Sequence, residues 1–322
     1  MNKKSVVLYL MIIGVLLTFI GGWYVAAFLA QPPADNSEVA SATANVSSSP
    51  TASPTQAAPL LSFDGARALK DAQTQVDFGP RPPTSEGHKK IIAWIQAELK
   101  SVGWTVEIQK AERMGHPVQN IIAKRSNDAP QIILGAHYDT RFFADHDPDP
   151  AKQKQPVPGA NDGASGVAVL LELARTLPKD TVPTWLVFFD TEDNGNIQGW
   201  DWILGSRAFA EEIKIQPRAV VVVDMIGDAD LNIYLEKNSN KTIRAEIWST
   251  AAKLGYDKQF INQEKYSMFD DHTPFLEKGI PAVDLIDFDY PYWHTAQDTM
   301  DKISAKSLGA VGDTLWHWVT AQ

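Results

Sequence analysis

The chain has 322 residues, a formal net charge of −10 and no cysteine, and 44% of its residues are hydrophobic. This length can bury the core of one large domain or two small ones, and the missing cysteine excludes disulfide scaffolds, thiolate metal sites and cysteine nucleophiles. The acidic balance, without a run of lysine or arginine, argues against a nucleic-acid partner and leaves open a metal held by histidine and carboxylate ligands.

Residues 1–30 have the pattern of a membrane anchor. Residues 5–30 carry no charge, and such a run can span a bilayer core of about 30 Å. Lys3 and Lys4 precede it, which places the N-terminus in the cytoplasm and the remainder of the chain on the extracytoplasmic side. A cleaved signal usually has a shorter apolar region of about 7–15 residues, but the Ala-x-Ala-like pattern at residues 27–30 keeps secretion after cleavage as the alternative.

The next segment, residues 31–60, is dominated by Ser, Thr, Ala and Pro and shows no apolar period. This composition is typical of a solvated, disordered stalk. We therefore expect a single-pass protein, attached to the membrane through its N-terminal helix, whose folded catalytic domain spans residues 61–322.

Within residues 61–322, apolar strands alternate with helical segments. Helices are predicted at residues 84–102, 163–177, 206–213, 241–254 and 304–320. Strands are predicted at residues 119–124, 131–136, 184–190, 219–224 and 282–286. Two of these strands are almost continuously apolar, which is typical of parallel strands buried on both faces. The alternation predicts an α/β domain with a mixed, largely parallel central sheet flanked by helices on both faces.

Acids and imidazoles follow the predicted strands, where ligands bind in open α/β sheets. The set comprises His137, Asp139, Asp162, Glu192, Asp193, Asp224 and His294. Histidine nitrogen and carboxylate oxygen are zinc ligands, and this set can hold one zinc or two bridged by a carboxylate. The HExxH and GxSxG motifs are absent from the sequence, which excludes a helix-borne zincin site and a serine nucleophile elbow.

The segments that carry these residues resemble metallopeptidase family 28, the zinc aminopeptidases and their glutaminyl cyclase relatives. They read HYDT, PGANDGASGVAVLLELAR, FFDTEDNG, VVDMIG and WHTAQDT, and DFGPRPPTSEGHKK at residues 77–90 matches the opening segment of the family. The resemblance covers about residues 62–320 in the family's order. It implies a phosphorylase/hydrolase-like zinc exopeptidase fold.

The resemblance also implies a role for each of these side chains. In the dizinc members one zinc would be held by His137, Asp162 and Asp224. Asp162 would bridge to a second zinc held by Asp193 and His294. Glu192 would be the general acid/base, and Asp139 would orient His137 from behind.

Glu192 and Asp193 are adjacent in the sequence, and this adjacency allows the two acids different roles. On a turn at a strand end, one of two neighbouring acids can bind metal while the other faces substrate. A carboxylate that is not a ligand is free to move protons. It would take a proton from water in a hydrolase, or from the substrate's α-amine in a cyclase.

Three details favour the cyclases over the aminopeptidases. Trp293 precedes His294 in a WHT triplet that resembles the cyclases, and Asp270 lies in the segment FDDHTPFLEKGIP, which also resembles theirs. Trp200 and Trp202 lie in a GWDW stretch of the same kind. Aromatic walls suit a small planar lactam precursor.

We therefore expect a zinc enzyme that acts on the N-termini of peptides or proteins and cyclises N-terminal glutamine to pyroglutamate with release of ammonia. The working zinc would lie on Asp162, Asp193 and His294. Asp270 and Asp224 would steady the proton on Glu192. The pocket walls would be Trp293, Trp200 and Trp202.

Two alternatives stay open. The first is a dizinc aminopeptidase, with His137 and Asp224 on the additional zinc, and the intact ligand set is compatible with it. The second is a non-catalytic binding ectodomain, which is disfavoured because Glu192 and all five ligands are retained. Two positions depart from the resemblance: Asp193 stands where many relatives have Glu, and Asp284 stands where animal cyclases have His.

Overall fold

The computed structural model describes residues 62–322. The predicted anchor at residues 1–30 and the predicted stalk at residues 31–60 lie outside the described residues. No helix among the described residues is both long enough and apolar enough to cross a membrane. The described part is one compact unit.

Seven helices and eight strands are described in residues 62–322. The helices are α1 (Gly65–Asp77), α2 (Glu86–Ser101), α3 (Ala164–Thr176), α4 (Leu204–Glu212), α5 (Lys241–Lys253), α6 (Thr273–Glu277) and α7 (Ala305–Thr320). The strands are β1 (Thr105–Arg113), β2 (His116–Lys124), β3 (Ile132–His137), β4 (Thr184–Phe189), β5 (Ala219–Asp224), β6 (Ile233–Leu235), β7 (Phe260–Glu264) and β8 (Ala282–Ile286).

The main sheet has six strands in the order β1-β2-β4-β3-β5-β8. The pairs β4/β3, β3/β5 and β5/β8 are parallel, whereas β1/β2 and β2/β4 are antiparallel. Strands β6 and β7 form a separate two-stranded parallel sheet. The prediction of an α/β domain with a mixed central sheet is confirmed.

Helices cover both faces of the sheet, and the strand sequences reflect this. In β5, Val221 and Val223 pack into the core shared with α1, α2, α3, α5 and α7, whereas Val220 and Val222 pack into the core shared with α4 and α6. Because successive side chains of a strand point to opposite faces, both sets must be apolar. The continuous apolar runs of β4 and β5 follow from this double burial.

Candidate active site

Three parallel strands end at the same edge of the sheet, and each brings predicted site residues to it. His137 is the last residue of β3 and Asp224 the last residue of β5, while Glu192 and Asp193 follow β4. Asp162 lies in the loop before α3, and all five are buried. The sheet topology therefore collects residues that are far apart in sequence.

The first cluster is formed by Asp162, Asp193 and His294. Nε2 of His294 lies 2.8 Å from Oδ1 of Asp193 and 3.8 Å from Oδ2 of Asp162. The potential ligand atoms of the three residues all lie within 4.8 Å of one another. This is the set that the sequence predicts for the working zinc.

The second cluster shares Asp162 with the first. Nε2 of His137 lies 3.1 Å from Oδ1 of Asp162 and 3.1 Å from Oδ1 of Asp224. One carboxylate oxygen of Asp162 thus faces His137 and the other faces His294. This is the geometry of a carboxylate that can bridge two metal ions.

The donor atoms of the first cluster fit a metal ion. Oδ2 of Asp162 and Oδ2 of Asp193 are buried without a hydrogen-bond partner among the described residues. Buried polar atoms are normally satisfied, and bound ions are one means of satisfying them. Burial also lowers the pKa of His294 to about 3, so the ring is the neutral imidazole that binds metal.

Glycine at position 163 lets helix α3 begin next to the cluster. A Cβ placed on Gly163 would lie 2.8 Å from Cε1 of His137, closer than real contacts allow. Gly163 is the N-cap of α3, with no side-chain cap, so the Asp162 carboxylate is free of the capping role. Left-handed backbone appears at Thr191 (φ 57°), Met225 (φ 48°) and His294 (φ 57°), as is common where the backbone is strained at a functional site.

Asp139 contacts the Glu192 loop more closely than it contacts His137. Its two carboxylate oxygens accept backbone N–H groups of Glu192 (2.9 Å) and Asp193 (3.3 Å). Oδ1 of Asp139 lies 3.6 Å from Nδ1 of His137, beyond a good hydrogen bond. In the structure this side chain therefore fixes the turn that presents Glu192 and Asp193.

Asp298 holds the other side of the site and was not singled out from the sequence. Its carboxylate accepts the backbone N–H of Asn161 (2.8 Å), the backbone N–H of Asp162 (3.1 Å) and the hydroxyl of Tyr290 (2.7 Å). Burial raises its pKa to about 7. The available signal was its position four residues after His294, in the WHTAQDT segment.

Arg141 is the second functional side chain that sequence reasoning missed. Its guanidinium donates to the backbone carbonyls of Asp193 and Gly195, both at 3.1 Å, and forms a bidentate pair with Asp145. Oδ1 of Asp145 lies 3.8 Å from Nδ1 of His294. Arg141 therefore positions the loop after β4 and the carboxylate behind His294.

A pocket of about 170 Å³ opens onto the first cluster. It is smaller than the pockets of about 300–1,000 Å³ that hold drug-sized ligands, and it suits one amino-acid residue. Its lining comprises Asp162, Glu192, Asp193, Trp202, Asp224, Met225, Met268, Phe269, Asp270, Ile286, Phe288 and Trp293. A larger groove of about 450 Å³ lies between β1, β2, β4 and α4, but none of the clustered metal-ligating groups lines it.

Two of the three predicted wall tryptophans reach this pocket. Trp293 stacks on His294 with ring centroids 3.8 Å apart, and Trp202 lies parallel to the same imidazole at 5.8 Å. Trp200 does not line the pocket. Its ring stacks on His116 at 3.6 Å and packs against the small apolar cluster around Leu204, because β2 and the start of α4 offer it an apolar surface.

The pocket wall carries carboxyls that hold protons readily. Burial raises the pKa of Glu192 well above its ordinary range and that of Asp224 to about 7. Burial also raises the pKa of Asp270. A carboxyl whose pKa approaches neutrality can both accept and donate a proton.

A third buried group lies behind Asp270. Nδ1 of His272 is 3.8 Å from Oδ2 of Asp284, and Nε2 of His272 is 3.5 Å from Oε2 of Glu236. Neither oxygen of Asp284 has a hydrogen-bond partner among residues 62–322. Burial, followed by the charge of Asp270, raises the pKa of Asp284 well above its ordinary value.

Residues 120–319 match the model of peptidase family M28. The chain belongs to peptidase family M28. The resemblance stated for the sequence motifs is therefore confirmed, and the residues of both acid–imidazole clusters lie within the matched range.

Solved structures of both cyclases and exopeptidases resemble this M28 chain. The crystal structure of the glutaminyl cyclase from Porphyromonas gingivalis is 35% identical, with a TM-score of 0.77 over 81% of this chain and 99% of the other. A Zn-dependent exopeptidase from Parabacteroides distasonis is 31% identical, with a TM-score of 0.75 over 82% and 100%. A glutaminyl-peptide cyclotransferase from Boiga irregularis is 26% identical over 288 residues, covering 74% of this chain and 76% of the relative.

Proposed function

We propose that this M28 chain is a zinc-dependent glutaminyl-peptide cyclotransferase, which converts N-terminal glutamine of peptides or proteins to pyroglutamate and releases ammonia. One observation carries the proposal: a pocket for a single residue, walled by Trp202 and Trp293, has Glu192 beside the cluster of Asp162, Asp193 and His294. The similarity to glutaminyl cyclases at 35% identity supports it.

In this proposal Asp162, Asp193 and His294 hold the zinc. A bound zinc ion would act as a Lewis acid on the γ-carbonyl of the substrate glutamine. Arg141 and Asp298 fix the backbones that carry Asp193 and Asp162 through the hydrogen bonds described above. Stacking against Trp293 fixes the ring of His294.

Glu192 moves the proton. Its carboxylate accepts a proton from the substrate's α-amine, and the amine nitrogen forms the new bond to the γ-carbon. The same carboxyl donates that proton to the γ-amide nitrogen as its C–N bond breaks, and ammonia leaves. Burial favours the protonated state of Glu192 between the two transfers.

Asp270 and Asp224 line the same pocket and contribute through their charge. After burial, the charge of Asp270 raises the pKa of Glu192 and of Asp224, and the charge of Asp224 raises the pKa of Asp284. We assign to them the steadying of the proton on Glu192, and to Trp202 and Trp293 the apolar walls that exclude water from the reaction.

The test is a comparison of two peptides with the full chain in detergent. A peptide that begins with Gln and an otherwise identical peptide that begins with Leu are incubated with it and analysed by mass spectrometry. We expect the Gln peptide to lose the mass of one ammonia molecule, and the mass of the Leu peptide to be unchanged. Removal of the first residue from either peptide would contradict the cyclase assignment.

Aminopeptidase activity is the second candidate, and a specific observation favours it. The second cluster of His137, Asp162 and Asp224 is complete, so the chain has ligands for two bridged metal ions. The similarity to a Zn-dependent exopeptidase at 31% identity supports this candidate as well. The Leu peptide separates the two functions, because only an aminopeptidase shortens it.

We also propose that residues 1–30 anchor the enzyme in the membrane and that residues 31–60 are a stalk. The uncharged run of residues 5–30 behind Lys3 and Lys4 supports an anchor with the catalytic domain on the extracytoplasmic side. Membrane fractionation tests it: extraction by detergent but not by carbonate is expected. Release into the medium would instead favour cleavage after the apolar run.

A further inference from the structure

Phe269 is an exposed aromatic side chain at the mouth of the pocket. Met114, Phe143 and Phe269 are large hydrophobic residues with 58%, 42% and 50% of their surface exposed. Of these three, Phe269 alone lines the pocket that contains Glu192. A large exposed apolar group beside a binding pocket often belongs to a contact surface.

The structure holds Phe269 in place on both sides of the chain. The backbone N–H of Met268 donates to Glu236 (2.9 Å), and that of Asp270 donates to the hydroxyl of Thr273 (3.2 Å). The guanidinium of Arg207 lies 5.4 Å from the centroid of the Phe269 ring. A ring anchored in this way presents its remaining surface at little cost in conformational entropy.

Arg207 is itself restrained, so the ring has a fixed support. Its guanidinium pairs with Glu277 of α6 at 2.9 Å. The side chain therefore bridges α4 and α6 beneath the ring. The cation that supports the Phe269 ring is therefore already paired with a carboxylate.

The small volume of the pocket determines what this ring can contact. A pocket of about 170 Å³ takes the first residue of a peptide and leaves the rest outside. The α-amine of that residue must reach Glu192 for the proposed reaction, so the peptide leaves past the mouth. The first side chain outside the pocket belongs to the second residue of the substrate.

We propose that Phe269 forms an apolar subsite for the side chain of the second substrate residue. This inference rests on the proposed function. It makes the preferred substrates peptides that begin with Gln followed by a large apolar or aromatic residue. The subsite acts by burying apolar surface of both partners when the peptide binds.

The experiment compares kcat/KM for Gln-Phe-Ala-amide, Gln-Gly-Ala-amide and Gln-Glu-Ala-amide, using the full chain in detergent. We expect the wild type to prefer Phe over Gly at the second position about tenfold, the low end for an apolar side chain in a pocket. Phe269→Ala should reduce this preference to less than about twofold. The readout is the ratio of kcat/KM on the Phe peptide to kcat/KM on the Gly peptide within each protein, because a change that affects both peptides alike cancels in this ratio.

Phe143→Ala is the matched control, because Phe143 is similarly exposed but does not line the pocket. It should retain the full preference for Phe. Phe269→Leu keeps an apolar side chain and should retain an intermediate preference, which serves as the test if the alanine variant does not fold.

Three results obtained with the variants would overturn the subsite. They are an undiminished Phe preference in both Phe269 variants, a loss of preference in Phe143→Ala, and an equal loss of activity on all peptides in both Phe269 variants. If the wild type cyclises none of the peptides, the proposed function is wrong and the subsite falls with it. Cyclisation of all three at equal rates refutes the subsite alone.

Discussion

Glu192 differs from the acids of the two clusters in what surrounds its carboxylate. Within residues 62–322, Asp162, Asp193 and Asp224 each lie within hydrogen-bond distance of an imidazole. The Glu192 carboxylate has no such hydrogen bond, although it is largely buried and lines the pocket. An acid that is held only through its backbone can turn between two proton-transfer partners.

Replacement of Glu192 by Gln should therefore remove catalysis and leave the metal bound. Gln has the same shape but cannot accept the α-amine proton, and we expect kcat to fall about 10²- to 10⁴-fold, as is usual for loss of a general acid/base. Ammonia release measures turnover, and elemental mass spectrometry measures the zinc content of the protein. Asp193→Asn is the comparison variant, and it should lose zinc as well as activity. Retained turnover in Glu192→Gln would refute the role of Glu192.

Asp298 permits a test of the support behind the metal ligands. Asp298→Ala would leave the buried N–H groups of Asn161 and Asp162 without their acceptor. We expect zinc affinity to weaken about 10- to 100-fold, the usual cost of losing an outer partner of a metal ligand.

A competing chelator measures this change. The control is Asp301→Ala, because Asp301 is exposed and bonds only to its neighbours Thr299 and Lys302. Equal zinc affinity in Asp298→Ala and the wild type would show that Asp162 is positioned without Asp298.

At the scale of the elements, strands buried on both faces were the most predictable. The sequence of β5 is AVVVVD, and the predicted and observed bounds coincide at residues 219–224. The strand β1 was not predicted, because its sequence TVEIQKAER carries many polar groups on a half-exposed edge strand. Burial on two faces leaves a stronger pattern in the sequence than a position at the edge of a sheet.

Strand β8 contains a buried acid that should make the stability of the fold depend on pH. Asp284 lies between Val283 and Leu285 and is fully buried. Its folded-state pKa is raised well above the unfolded value of about 3.9. The folded state therefore binds this proton more tightly, and the resulting stability is lost as the pH rises above about 4 towards the folded-state pKa.

Asp284→Asn should flatten this dependence, because the amide has no proton to lose. We expect the decrease in melting temperature from pH 5 to pH 8, at saturating zinc, to be smaller in Asp284→Asn than in the wild type. Asp257→Asn is the control, since Asp257 is exposed, and it should follow the wild type. The same dependence of melting temperature on pH in all three proteins would show that the pKa of Asp284 does not differ between the folded and unfolded states.

At the scale of the whole molecule, the site depends on tertiary contacts that a local sequence pattern does not predict. The motifs predicted the acids and imidazoles at the strand ends, and the structure brings them together. The same reasoning placed Trp200 in the pocket, whereas the ring packs on His116 of β2, a strand distant in sequence. Which of two neighbouring tryptophans reaches a pocket depends on tertiary packing, so Trp202 and Trp200 could not be told apart beforehand.

The complete fold holds several acids within one buried region, and this determines how the protein should respond to metal removal. Without a cation, the negative charges of Asp162 and Asp193 repel each other, and the charge of Asp162 also repels that of Asp270. A ligand present at 1,000 times its Kd stabilises the folded state by about 4 kcal/mol. For a domain of this size each 1 kcal/mol corresponds to about 2–4 °C in melting temperature.

Chelation should therefore lower the melting temperature of the full chain by about 10 °C, and added zinc should restore it. Calorimetry before and after chelation, and after re-addition of zinc, measures the change. His294→Ala lacks a ligand of the first cluster and should show a much smaller shift under the same treatment. His317→Ala is the matched control, because His317 is an exposed imidazole on α7, and its shift should equal that of the wild type. An equal shift in His294→Ala would locate the stabilising metal outside the cluster of Asp162, Asp193 and His294.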